Sequence, residues 1–341
     1  HAMRDSAATI AAYGERARAA SRLLASATAA EKSVALEAMA AAVGADRERI
    51  LEQNALDMDA AAAEGVSGAL LDRQLLTQGR IDGIIGGLLK VAGLADPVGT
   101  ETGGWRLYNG VRLQRVRVPL GVVAVIYEAR PNVTADAAGL CVKSGNAALL
   151  RGSSFSLRSN LAGGEALRRG LEGAGMPSDA VQVIEDVSRE GARALMTATD
   201  WVDLLVPRGG PGLIDAVSTE ATVPVVIDGA GNCHVYVDAA ADLNDAEAIT
   251  INAKVQRPGV CNAAEKLLVH RDVAREFLPR IAASLRTNGV EVRGDDASRE
   301  FVADLGEVAE EEWGEEYLDL IMAVAVVDDV DGAIEHILSL I

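Results

Sequence analysis

The chain has 341 residues, of which 49% are hydrophobic and 24% charged, with a formal net charge of −18. That length allows two domains with full cores, and no apolar run approaches the ~20 residues a membrane-spanning helix needs. The negative excess opposes nucleic-acid and anionic-membrane partners, whose binding rests on phosphate neutralisation, but not an anionic small molecule, because a few arginines can reverse the field inside a cleft.

The chain opens with helical patterning. His1-Ala2-Met3 reads as a cloning scar ahead of a native Met3, with no signal peptide expected. Residues 6–25 are Ala-rich and helical; Thr28 and Glu31 have capping-box spacing, and Val34, Leu36, Met39 and Val43 continue a helical face. Further helices are expected over 50–58 and from 70, with an apolar stripe of Ile81, Ile84, Ile85, Leu88, Leu89 and Val91. At 104–118 the period changes from helical to alternating. Asn109-Gly110 supplies the positive φ angles of a tight turn, so this stretch reads as a β-hairpin. A lone hairpin is marginal in water, so it is expected to add to another sheet, a partner subunit's being one candidate.

From Pro119 strands and helices alternate. Strands are expected at 121–127, 147–150, 180–184, 202–206 and 223–227, with helices at 134–142, 156–173, 189–198 and 212–220. Continuous apolar strands between helices imply a parallel sheet covered on both faces. Ligands of such sheets bind beyond the carboxyl ends of the strands. The loops there contain Glu128-Ala129-Arg130-Pro131-Asn132, Arg151-Gly152-Ser153-Ser154, Pro207-Arg208-Gly209-Gly210 and Asp228-Gly229-Ala230-Gly231-Asn232. A second unit begins near His234 and includes a helix over 245–254, a strand to His270 and a helix over 272–285 with Asp272 as N-cap. Residues 294–316 are strongly acidic and expected to be exposed; 320–327 are apolar, and 330–337 helical.

The chemistry-bearing candidates follow from these placements. The three cysteines, Cys141, Cys233 and Cys261, form no CxxC pair, which argues against a disulfide framework or zinc site and for a reducing, cytoplasmic setting. Cys261 stands on a turn before the apolar run Leu267-Leu268-Val269, with Lys254 and Arg257 close enough in sequence to favour its thiolate. It is either a nucleophile for an activated acyl group or an ordinary small buried residue. Cys141 falls on a helix and reads as core. Cys233 and His234, as strand neighbours, point to opposite faces and do not make a dyad. His270 and His336 end elements and are expected to be solvated. No GxGxxG occurs; the Arg151 and Arg208 loops either bind phosphate at helix N-termini or simply turn the chain. Asn132 is either an oxyanion donor or a helix cap, and Asp136 reads as a dipole-stabilising first-turn carboxylate.

Four stretches in order, GVVAVIYEARPNVTADAAGLCVKSGNAALLRGSSFSLRSN, LLVPRGGPGLI, DGAGNCHVYVD and VQRPGVCNAAEKLLV, resemble the γ-glutamyl phosphate reductases of the aldehyde dehydrogenase superfamily. The resemblance runs from about Ala8 to Ile337. It implies an α/β, aldehyde dehydrogenase-like fold: an NADPH-binding domain over 4–103 and 119–233, an oligomerisation hairpin over 104–118 and a catalytic domain over 234–341. It also implies NADPH-dependent reduction of L-glutamyl 5-phosphate to glutamate 5-semialdehyde, in proline biosynthesis, through a thioester on Cys261. Asn132 would stabilise the oxyanion. Arg151 and Ser153 would approach the adenosine ribose and its 2′-phosphate, Arg208, Gly209 and Gly210 the pyrophosphate, and Glu316 the nicotinamide ribose; Arg257 and Arg130 are candidates for the substrate's phosphate or carboxylate. The family continues past Ile337, whereas Leu338-Ser339-Leu340-Ile341 does not match, so the C-terminal part of the family fold is expected to be absent. Two readings are therefore carried: the reductase, forming a homo-oligomer (a dimer) where the last strands are present, and a truncated, inactive form that binds nucleotide or a partner.

Overall fold

The computed structural model describes residues 2–66, 68–227 and 231–340. The chain divides into two compact units, His1–Asp228 and Gly229–Ile341.

The first unit begins with five helices, Ala2–Leu24, Ala29–Ala45, Arg47–Ala63, Gly68–Gln74 and Gln78–Ala92. The capping box forms: Thr28 N–H donates to Glu31 Oε2 at 2.7 Å and Glu31 N–H donates to Thr28 Oγ1 at 3.2 Å. Both exchanges satisfy backbone donors that a helix start leaves orphaned. Strands β1 (Glu101–Arg106) and β2 (Arg112–Val116) form the expected antiparallel hairpin, with Trp105 opposite Leu113 and Gly110 at φ +90 in the turn. Nearly every residue of both strands is exposed.

Strands β3 (Val122–Tyr127), β4 (Ala147–Arg151), β5 (Val181–Val183) and β6 (Leu204–Arg208) make one parallel sheet in the order β5-β4-β3-β6. Every residue of β3 is buried. Its two-residue period divides it between cores: Val123, Val125 and Tyr127 pack with Leu36, Met39 and Leu150, whereas Val122, Ala124 and Ile126 pack with Ile10, Ala17 and Leu195. Burying such a side chain is worth ~1.5–3 kcal/mol, so this strand anchors both layers. The first helix is fixed to the second face at distant points. Arg18 Nη1 donates to Asp203 Oδ2 at 2.5 Å, and the same oxygen accepts Val122 N–H at 2.7 Å. Ser6 Oγ donates to Asp186 at 2.6 Å. Residues 223–227 differ from expectation. They form a single bridge, Val225 with Leu205, and no strand. Leu205 N–H uses the Pro224 carbonyl at 2.8 Å, but Pro224 has no N–H to extend the ladder.

The second unit is a five-stranded parallel sheet in the order β10-β9-β11-β8-β7, from β7 (Cys233–Val237), β8 (Ala264–His270), β9 (Glu291–Gly294), β10 (Gly306–Glu307) and β11 (Ile321–Val327). Leu267, Val269, Met322 and Val324 pack on the helix Arg271–Thr287 through Phe277, Leu278 and Ile281; the opposite face packs Leu268, Ala323 and Ala325 on Trp313 and Ala333. Two expectations are corrected here. The N-cap of Arg271–Thr287 is His270, whose Nδ1 accepts Asp272 N–H at 3.1 Å; the ring is therefore a cap and not a solvated side chain. The acidic stretch 294–316 is not a wholly exposed strip. It buries Ser298, Val302, Leu305 and Trp313 while most of its carboxylates stay exposed, the pattern of short segments docked by their apolar residues.

Candidate active site

The first sheet sets out its loops as expected. Parallel pairing puts Tyr127 beside Arg208 and Ile126 beside Arg151, so the loops that follow them share one carboxyl edge. Strands β4 and β5 lie to one side of β3 and β6 to the other, which makes the β3/β6 gap the topological switch point. Each loop then leads into a helix: Asn132–Lys143, Leu157–Gly173 through a short 3₁₀ turn, and Pro211–Glu220. Gly209 is fixed in kind by close approach. A Cβ there would lie 2.7 Å from Glu128 Cδ and 2.8 Å from Leu213 Cδ2. Gly210 is the N-cap of the helix that follows. Asp228, Gly229 and Ala230 of the fourth loop lie outside the described residues.

Arg151 donates through Nη2 to the Val187 carbonyl at 2.5 Å and to the Ser188 carbonyl at 2.9 Å. Its Nε is buried without a partner, as is Ser153 Oγ two residues on. Burial pulls the Arg151 guanidinium below its ordinary value, against the opposing pull of Asp186. A buried donor left unmet is costly, and two such groups, two residues apart at the carboxyl end of β4, suit the oxygens of a phosphorylated nucleotide. Asn132 occupies the first turn of its helix, with Pro131 as the cap, and its Nδ2 donates to Asp136 Oδ2 at 2.9 Å. Asp136 thus engages Asn132 and is not the first-turn carboxylate expected, since the first turn of this helix holds no acidic residue. Cys141 is buried, and burial pushes its thiol up to about 12.

Cys261 belongs to the second unit. It is a free, exposed thiol on the turn between the helix Leu243–Val255 and β8. The turn is pinned from one side. Gly231 lies so close that a Cβ on it would fall 2.0 Å from the Cys261 carbonyl oxygen, and Cys233 Sγ donates to that oxygen at 3.3 Å. Burial raises the Cys233 thiol, and the carboxylates of Glu265 and Glu316 raise it further. Glu316 has Oε1 buried without a partner, a fit for a ribose hydroxyl. Arg257 is exposed beside the turn.

One sequence expectation fails at the Cys261 turn. Lys254 does not serve the thiol: it is fully buried and bonded to the equally buried Glu265 at 2.9 Å. A buried cation must be paired, and its partner is the strand carboxylate.

Several residues here were missed from sequence. Lys266 donates to the Glu315 carbonyl at 2.8 Å and sits 4.2 Å from the Tyr317 ring centroid; burial brings its ammonium down to about 8. His336 is not solvated. Its ring packs edge-on against Trp313 at 5.0 Å and against His234 at 5.7 Å, and both histidines keep a buried Nε2 without a partner. His234 Nδ1 bonds the Asn232 carbonyl at 2.7 Å. Helical spacing alone could have turned His336 inward, since it lies three residues after the buried Ala333.

The aldehyde dehydrogenase family profile matches residues 1–321. The chain is 52% identical over 324 residues to the γ-glutamyl phosphate reductase of Heliobacterium modesticaldum, across 95% of this chain and 78% of that protein. It is also 52% identical to that of Moorella thermoacetica, with the same coverage of both chains. Among solved structures, the γ-glutamyl phosphate reductase of Thermotoga maritima superposes with a TM-score of 0.89 at 46% identity, covering 96% of this chain and 79% of that one.

Proposed function

Because the chain belongs to the γ-glutamyl phosphate reductases of the aldehyde dehydrogenase family, we propose that it reduces L-glutamyl 5-phosphate to L-glutamate 5-semialdehyde with NADPH, using Cys261 as nucleophile. The observation that carries this reading is the exposed Cys261 thiol on a turn held by Gly231 and Cys233. Residues 4–103 and 119–233 are the proposed NADPH-binding domain, and 234–341 the catalytic domain. Arg151 and Ser153 are assigned to the ribose 2′-phosphate, Arg208, Gly209 and Gly210 to the pyrophosphate, and Glu316 to the nicotinamide ribose. The unmet Arg151 Nε, Ser153 Oγ and Glu316 Oε1 support that assignment.

In the proposed reaction the Cys261 thiolate forms a bond to the acyl carbon. The carbon–oxygen bond to phosphate breaks, and phosphate leaves with the electron pair. An acyl phosphate is already activated, so this step needs no general base to raise a water. When bound, the nicotinamide supplies a hydride to the resulting thioester. The carbon–sulfur bond of the thiohemiacetal then breaks, the aldehyde forms and the thiolate returns. Asn132 is assigned as the amide that donates to the oxyanion, once it turns from Asp136. Arg257 and Arg130 are assigned to the substrate's phosphate or carboxylate. The 104–118 hairpin is the proposed oligomerisation arm, and the free thiols suit a cytoplasmic setting.

The test is the reverse reaction, phosphate-dependent oxidation of glutamate semialdehyde read as NADPH formation. Turnover is expected, with its loss in Cys261→Ala. Unchanged turnover in that variant overturns the role of Cys261.

A further inference from the structure

Two consecutive strand residues, four and five positions beyond Cys261, hold the loop that carries Glu316. Lys266 grips it through the Glu315 carbonyl and the Tyr317 ring. Glu265 grips it differently. One carboxylate oxygen accepts the Leu318 N–H at 3.2 Å, while the other accepts the Lys254 ammonium at 2.9 Å. Both Glu265 and Lys254 are fully buried. Leu318 has a φ of 53, the only positive value at a non-glycine residue among the described residues. A left-handed leucine is strained and persists only where its surroundings hold it. The bond that does so comes from Glu265, and Leu318 lies two residues along from Glu316.

We propose that Glu265 is a positioning residue for the cofactor: anchored by Lys254, it fixes the left-handed turn at Leu318 and so presents the Glu316 carboxylate. This rests on Glu316 being the ribose-binding group. Glu265 touches neither cofactor nor substrate; it acts through the backbone of Leu318. The geometry explains why a buried ion pair, seldom a net gain in stability over apolar residues of equal volume, stands beside the nucleophile turn. Its spare oxygen is committed to an amide that an apolar residue cannot satisfy.

Two double variants isolate that oxygen. Lys254→Met with Glu265→Met removes the pair and the acceptor; Lys254→Met with Glu265→Gln removes the charges and keeps an oxygen for Leu318. Two quantities are read on the full chain: NADPH affinity by fluorescence titration, and the rate at which iodoacetamide alkylates Cys261. The Met/Met variant is expected to bind NADPH about tenfold more weakly or worse, since small misplacements of positioning groups are that costly. Its alkylation is expected within about twofold of the parent, as for an uncoupled site, and the Met/Gln variant is expected to bind NADPH like the parent. Equal affinity in the two variants overturns the proposal. So does a Met/Met variant whose alkylation falls together with its affinity, because the pair then supports the fold in general. A parent chain that binds no NADPH fails the functional reading itself, a result distinct from either.

Discussion

The two parallel sheets carry their candidate residues at opposite ends. In the first, the candidate residues Asn132, Arg151, Ser153 and Arg208 to Gly210 follow the carboxyl ends of β3, β4 and β6. In the second, Gly231, Cys261 and Glu316 precede the amino ends of β7, β8 and β11. A carboxyl end leads into a helix N-terminus, with free N–H groups and a positive dipole end, so it suits phosphate. An amino end leads into a strand and offers no helix N-terminus. The second sheet offers no such helix start beside Cys261, which stands on the turn leading into β8. What it supplies is position: a turn packed on Gly231, and a carboxylate-bearing loop clamped by Glu265 and Lys266.

The sharpest break of this contrast is Cys261→Ala, expected to lower turnover by about a thousandfold or more, as removal of a nucleophile does, while NADPH still binds; steady-state rates and titration check both halves. Next is Gly231→Ala. Its Cβ must displace the Cys261 carbonyl, so turnover and iodoacetamide alkylation are expected to fall by roughly ten- to a hundredfold with NADPH affinity held. Gly209→Ala is the mirror experiment. Its Cβ collides with Glu128 and Leu213, and NADPH affinity is expected to fall about tenfold with alkylation unchanged. If either glycine variant moves both readouts together, the division of labour between the sheets is wrong.

The smallest effect is on acid stability. Burial holds His234 and His336 below their ordinary value of 6.5. The unfolded chain takes up protons that the folded chain resists, so their contribution is complete above 6.5 and lost as the pH falls below it. His336→Phe is expected to reduce that acid sensitivity, read as a smaller drop in the urea midpoint between pH 7 and 5.5.

Sequence made the sheets legible because their strands are continuous apolar runs with turns between them. It also identified the hairpin, through Asn109-Gly110, and the Cys261 turn. It did not identify what depends on side chains meeting across distance. Lys254 reads as a charge near a thiol until the fold brings Glu265 against it. His336 reads as a terminal residue until Trp313 and His234 close around it. Pro224 was visible in the sequence, and its missing N–H could have warned that 223–227 would not extend the sheet. Leu318 gave no signal, since nothing local marks a leucine for a left-handed backbone.

The bond between Arg18 and Asp203 spans 185 residues. On a ribosome adding ~5–20 residues per second, the first helix emerges roughly 10–40 s before the carboxylate that fixes it is made. Its apolar face, with Ile10 and Ala17, packs on β3 and β4, which are made before that carboxylate, so packing can precede the ion pair. The first helix is thus tied by its ion pair to a carboxylate made long after it, so this bond can close only late in the synthesis of the first unit.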